Sequence, residues 1–410
     1  MQKLKILSIF AIVLGATLPW NATAISQNKL TPQQLVQSYG TNLIESLLAK
    51  TLFEIRQGKT SDALDTVNQL IQAMPNFKLA YLIRGDLLSS RARSLSTFGD
   101  VGEIDKRVVQ DYQDEVQTRL TNYLDRNKDR SFPDLLMQLD ESQRYALVVD
   151  TSKSRLYVYA KNELGQLKYM SDYYITIGKN GIDKKKQGDK RTPIGVYFAS
   201  SKLNRPLPDL YGEAAYPLSY PNEMDSFEKR NGSGIWIHGT PTDTYSRPPR
   251  ASDGCVVLSN PDIKALQPIL DRGNTPVIIV SEVNWVEKSM SEARAKDQQL
   301  LNDALEQWRK DWVSQDTKKY LSHYSTHFFY SDGDFEKWAD HKQRIQASKP
   351  KVSVDIDNVS MFSYPNADKS MVVVDFEQSF TSSHLKNTMK KRQYWINENN
   401  QWRILYEGAA

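Results

Sequence analysis

Between Gln143 and Val280 the apolar residues of this chain come only in short runs, each cut within a few residues by glycine, proline or aspartate. Tyr145–Val149, Arg155–Tyr159, Asp172–Ile177, Pro193–Phe198 and Thr275–Val280 are too short for helices. They are rich in β-branched and aromatic residues, which suit extended backbone. Ser152-Lys153-Ser154 reads as a hairpin turn. Residues 141–285 are therefore expected to form a mostly-β domain.

The flanks differ. In residues 25–140, Leu43–Gln57 and Ser61–Met74 carry apolar residues at helical spacing with Gly58 between them, and Val108–Leu124 reads as a further helix. Ala63, Leu70, Pro75, Tyr81 and Gly85 sit at tetratricopeptide-like positions, so this part is expected to be all-α, of helical hairpins. A polar linker is expected at 286–296. From Asp297 a helix places Leu301, Leu305, Trp308 and Trp312 on one face. Alternating segments follow, with Val352, Val354 and Ile356 on one face and Val372, Val374 and Phe376 on another. Asn397–Gln401 reads as a hairpin turn, so residues 297–410 are expected to be an α+β unit.

The chain has 410 residues and a formal charge of +4, which is no basis for nucleic-acid binding. Lys3 and Lys5, the apolar stretch Ile6–Leu18 and Ala22-Thr23-Ala24 have the order of a cleavable export signal over residues 1–24, with no lipobox cysteine. The expected location is the periplasm. There a lone thiol is a liability unless it has a use. Cys255 is the only cysteine, and His238 is the only histidine before His323.

A thiol is mostly protonated at neutral pH, so a nucleophilic cysteine needs a base or a field that favours thiolate. His238 is the one imidazole available in the β-domain. A histidine base needs its tautomer held, and Gly239 lets the chain turn so that a nearby carbonyl can do this. Gly254 allows close approach, and the N–H groups of Gly254 and Cys255 are candidate oxyanion donors, with Ser252 in the same turn. The reaction class is acyl transfer through a thioester. His323, His327 and His341 lack a metal-binding pattern and are expected to be structural, and no cofactor is expected. Trp308, Trp312 and Trp402 are expected in the core.

These residues resemble the L,D-transpeptidase (YkuD-type) catalytic domain of bacterial cell-wall enzymes. The resemblance rests on His238-Gly239 followed by Ser252-Asp253-Gly254-Cys255-Val256-Val257. It is supported by Gly188–Gly195 with its Thr192-Pro193, and by Tyr216–Asn222 leading to Gly234–His238. It implies an exported enzyme that attacks the carbonyl at the L-centre of a diamino acid in a peptidoglycan stem, releasing D-alanine. By position, Cys255 is the nucleophile, His238 the general base and Gly239 the orienting carbonyl. The acyl group then passes to an amine, or to water in L,D-carboxypeptidase trimming. Asp253 and Val257 depart from the histidine and arginine that many members have there. The flanking parts resemble three-domain L,D-carboxypeptidases that shape curved or helical bacteria, with a C-terminal domain like nuclear transport factor 2 (NTF2). That resemblance implies a small ligand or glycan in the C-terminal pocket.

The helical part is expected to make contacts with a partner or a second copy. Arg247 and Arg250, in the loop stiffened by Pro248-Pro249, are candidate contacts for substrate carboxylates, as is Arg191 in the basic loop Lys184–Arg191. Tyr220 completes the candidate substrate contacts. A rival reading of another class is a wall-binding scaffold whose flanking parts carry the function.

Overall fold

The computed structural model describes residues 41–100, 105–124, 131–163, 165–287, 291–348, 351–365, 367, 370–383 and 385–410. The expected export signal lies outside them. No described helix is long and apolar enough to cross a membrane.

Four helices come first: α1 (Thr41–Arg56), α2 (Thr60–Ala73), α3 (Lys78–Ser89) and α4 (Lys106–Leu124). Gly58, at φ +75°, turns α1 into α2. Ile44, Leu48, Leu52, Ala63, Val67, Leu70, Ile83 and Val116 form their common core, the stripe that helical spacing predicts. Tyr245, from far along the chain, is buried in the same core.

Two short strands, β1 (Ser131–Pro133) and β2 (Leu136–Gln138), follow. The central domain begins with β3 (Tyr145–Asp150), β4 (Arg155–Lys161), β5 (Leu167–Tyr174), β6 (Ile177–Gly178), β7 (Gly195–Ala199) and β8 (Ala215–Pro217). After α5 (Glu223–Phe227) come β9 (Trp236–His238), β10 (Arg250–Ser252), β11 (Val256–Val257), α6 (Asn260–Leu270) and β12 (Thr275–Val280). The main sheet has the order β5-β4-β3-β12-β7. Its residues alternate between two apolar surroundings. Leu147, Val149, Leu156, Val158, Val277 and Ile279 pack on β8, β9, β11 and α6. Ala146, Val148, Tyr157, Tyr159, Ile278 and Val280 pack on the C-terminal domain. Burial on both faces explains why these strands read as unbroken apolar runs.

The C-terminal part comprises β13 (Trp285–Glu287), α7 (Ser291–Ser314), α8 (Thr317–Leu321), β14 (Tyr324–Tyr330), β15 (Gly333–Asp334) and α9 (Phe335–Gln346). The long strands β16 (Val352–Ser363), β17 (Met371–Ser382), β18 (Lys386–Glu398) and β19 (Gln401–Ala409) complete it. Its sheet runs β15-β14-β19-β18-β17-β16-β2. Asn399 and Asn400, both at positive φ, make the turn between β18 and β19. One face, with Val372, Val374, Phe376 and Trp395, holds Leu301, Leu305, Trp308 and Trp312 of α7. The other packs on the central domain. Across that join Arg392 clasps Asp375 through two bonds of 2.8 Å and reaches Glu223 at 3.3 Å. Its guanidinium also lies 4.3 Å from the Phe198 ring centre.

The expected boundaries differ at two places. Residues 131–138, placed with the helical part, are strands that pair with segments far along the chain: Phe132 with Val286 and Leu136 with Phe362. The expected linker at 286–296 contains the end of β13 and the start of α7. The first turns of α7 carry polar residues, so no apolar period announces them.

Candidate active site

The site is built on two neighbouring parallel strands. Val256 of β11 pairs with Ile237 of β9, and Val257 pairs with His238. Ile237 and Val256 point into the central core. Side chains two apart share a face, so Cys255, which immediately precedes β11, lies on the side of His238. The short apolar stretches around each residue thus serve as two rungs of one small sheet.

The turn carrying the thiol is tightly tied. Ser252 Oγ donates to Cys255 O at 2.7 Å and accepts from Gly254 N at 3.1 Å. The Gly254 N–H is therefore engaged within the turn, and of the two expected oxyanion donors the Cys255 N–H is the one left. Thr192 Oγ1 donates to Gly254 O at 3.0 Å and accepts from Gly178 N at 2.9 Å. The Thr-Pro segment thus buttresses the cysteine turn from below. Gly254 has φ +122°, and a Cβ there would sit 2.7 Å from Arg191 O. Glycine is required on both counts.

His238 is 97% buried. Its Nδ1 lies 2.7 Å from Gly239 O. A carbonyl only accepts, so Nδ1 carries the proton and Nε2 presents its lone pair. Gly239 N in turn donates to Tyr211 O at 3.0 Å, and Tyr211 sets its ring edge-on to the imidazole at 5.1 Å. A Cβ on Gly239 would lie 2.2 Å from Asn260 Oδ1. The carbonyl that holds the tautomer is thus fixed by close packing under α6.

Burial pushes the His238 pKa down to about 4, against the Gly239 bond, and the Arg247 charge pushes the same way. Cys255 keeps some solvent access yet is crowded by protein atoms. Burial pushes its thiol up to about 11, against the Trp236 N–H and the charges of Lys184 and Arg247. The thiol donates to Gly234 O at 3.4 Å. The resting site is a neutral thiol beside a neutral imidazole. The ion pair is several kcal/mol less stable before the mutual attraction is counted.

The loop from His238 to Cys255 is held by the helical domain. Phe77 meets Tyr245 edge to face at 4.9 Å, and Tyr245 N donates to Asn76 O at 3.1 Å. Ser246 Oγ donates to Glu115 at 2.5 Å. Glu115 also accepts from Arg119 Nε at 2.9 Å, and Arg119 Nη1 bonds to Glu45 at 2.5 Å. The Arg119 guanidinium stacks 3.8 Å from the Tyr174 ring centre. Tyr174 OH donates to Arg247 O at 2.9 Å, and Thr176 Oγ1 donates to the same oxygen at 3.0 Å.

The other expected contacts are placed unevenly. Arg247 is half-buried and its charge bears on both reactive groups. Arg250 is exposed at the start of β10. Arg191 lends its backbone to the cysteine turn, but its guanidinium donates to Ile182 O at 2.8 Å. Tyr220 is buried in the core, with its OH on Asn231 O at 3.1 Å, so it presents no free hydroxyl to a substrate. The basic loop closes on itself. Lys184 is buried and bonds Asp189 at 2.8 Å, and that pairing with three backbone N–H groups holds the Asp189 carboxyl down to about 2. Among the described residues no cluster of His, Cys, Asp and Glu could hold a metal. His323 bonds Asp311 at 2.8 Å. Tyr211, Trp236 N–H, Asn260 and Tyr245 went unread in the sequence. Trp236 and Asn260 act through backbone amides or close packing, which leave no residue-type signature.

A family model described as the L,D-transpeptidase catalytic domain, YkuD, matches residues 144–279. A second, described as the Cds6 C-terminal NTF2-like domain, matches residues 300–408. Among solved structures, Bd1075 of Bdellovibrio bacteriovorus is 30% identical with a TM-score of 0.58, covering 68% of this chain and 98% of that one. The helical cell shape determining protein Pgp2 of Campylobacter jejuni is 24% identical with a TM-score of 0.57, covering 70% of this chain and 97% of that one, a likeness of fold. No curated protein matches. With its His-Gly and Ser-x-Gly-Cys segments on adjoining strands, the chain belongs to the YkuD-type L,D-transpeptidase family and carries an NTF2-like domain after the catalytic one.

Proposed function

We propose that the protein is an exported cysteine enzyme that cuts and transfers peptidoglycan stem peptides through a thioester on Cys255. The observation that carries this reading is the Nδ1-to-Gly239 bond of 2.7 Å, which leaves Nε2 of His238 as a base on the strand beside the thiol. In the first step the thiol proton passes to Nε2 as sulfur attacks the carbonyl carbon at the L-centre of the diamino acid. The neutral resting pair favours transfer concerted with attack over a standing ion pair. The Cys255 N–H faces the developing oxyanion. The C–N bond then breaks, and the leaving amine of D-alanine takes the proton from His238. The acyl group stays on sulfur as a thioester.

In the second step an acceptor loses a proton to Nε2 and attacks the thioester, and the thiol is restored. An amine acceptor gives a cross-link; water gives a trimmed tripeptide. Purified tetrapeptide muropeptides incubated with the mature protein separate these fates: dimers report transfer and tripeptides report carboxypeptidase action. C255A should give neither. Tetrapeptide left intact by the wild type, with C255A behaving alike in cells, would favour the scaffold reading.

A further inference from the structure

Arg247 is a cation without an anion. It lies in the loop between the two reactive residues and is half-buried. Among the described residues its guanidinium makes one hydrogen bond, Nη2 to Ala251 O at 2.6 Å, on the strand that leads into the cysteine turn. No described carboxylate lies within ion-pair distance. The acid that bears on it, Asp253, is exposed and pairs with Lys179 at 3.2 Å. The other cation felt by the thiol, Lys184, is spent on Asp189 at 2.8 Å. A guanidinium partly removed from water and left unpaired pays desolvation without return, unless an anion arrives with the substrate.

The backbone beneath it is held on both sides. Arg247 O accepts from Tyr174 and Thr176, Pro248 O accepts from Thr176 at 2.9 Å, and Pro249 O accepts from Ile177 N at 2.8 Å. On the N-terminal side Ser246 and Tyr245 are locked into the helical domain. Little order is therefore left to lose on binding.

We propose that Arg247 receives the free carboxylate of the residue that leaves, so that the enzyme selects donors whose scissile amide is followed by a terminal carboxylate. This rests on the stem-peptide reading above. One planar, donor-rich group matches a carboxylate bidentately and sets the register of the scissile carbonyl over the thiol.

The test is kcat/KM for two tetrapeptide donors that differ only in a terminal carboxylate or carboxamide. The wild type should prefer the acid by about 10- to 100-fold, mainly in KM. R247Q should lose that preference while keeping its rate on the amide within a few-fold, and R247K should recover part of it. Equal turnover of both donors by the wild type overturns the proposal, whatever the variants do. So does an unchanged ratio in R247Q or R247K. A wild type that turns over neither donor sinks the stem-peptide reading itself, a result distinct from turnover without discrimination.

Discussion

The Arg119 guanidinium lies 3.8 Å from the centre of the Tyr174 ring, and this stack ties the helical domain to the site. Arg119 is buried with Glu45 and Glu115, and Tyr174 passes the connection to the backbone of Arg247. Removing the arginine strands two carboxylates in the interior. R119M should cost about 3–5 kcal/mol of stability. It should also slow acylation of Cys255 by a carbapenem at temperatures where the variant is still folded. A cost under about 1 kcal/mol in denaturant titration would show that the clamp is not holding the loop.

The buried imidazole makes stability depend on acid. His238 has its folded pKa lowered to about 4, so between its unfolded value near 6.5 and about 4 the unfolded chain binds a proton that the folded one refuses. Stability is lost as pH falls through that window, by about 3 kcal/mol for this group. Asp225 and Asp262 run the other way. Their carboxyls are raised by burial to about 6 and about 7, so they favour the folded state as pH falls. The difference between wild type and H238Q isolates the histidine. Denaturant midpoints from pH 7 to pH 4 should converge, and parallel curves would contradict the assignment.

The thiol is expected to be slow to ionise. With Cys255 pushed up to about 11, its alkylation by iodoacetamide should keep climbing above pH 9. A plateau near pH 7 would mean a standing thiolate–imidazolium pair and a different first step.

Gly254 is held at φ +122° with Arg191 O 2.7 Å from where a Cβ would be. G254A should cost about 1–3 kcal/mol through backbone strain. It should cut the acylation rate at least 10-fold by moving the Cys255 N–H. Wild-type acylation kinetics in a folded G254A would show that the turn geometry does not matter.

Much of this architecture was legible because it is written in local pattern. The apolar runs of β3, β4 and β12 announce a sheet, and the stripe Leu301, Leu305, Trp308 and Trp312 announces a helix on an apolar face. The His-Gly and Gly-Cys pairs were visible because each glycine answers a local demand for space. What escaped reading depends on distant partners. Three-residue strands such as β1 carry too little pattern, and their stabilising neighbours lie at 285–287. Tyr220 has the makings of a substrate contact until Tyr197 and Asn231 enclose it. The Gly254 N–H seems free in sequence because the Ser252 hydroxyl that occupies it depends on the turn itself. Nothing local says that Tyr245 belongs to the core of the helices.

The central claim is the thioester on Cys255, and intact-protein mass spectrometry tests it most directly. Brief exposure of the mature protein to tetrapeptide muropeptide, quenched in acid, should add the mass of the substrate less D-alanine. The adduct should map to Cys255, be lost to hydroxylamine and be absent from C255A, while H238Q should form it far more slowly. Wild-type protein of unchanged mass at every time point, with the tetrapeptide intact, would contradict the account.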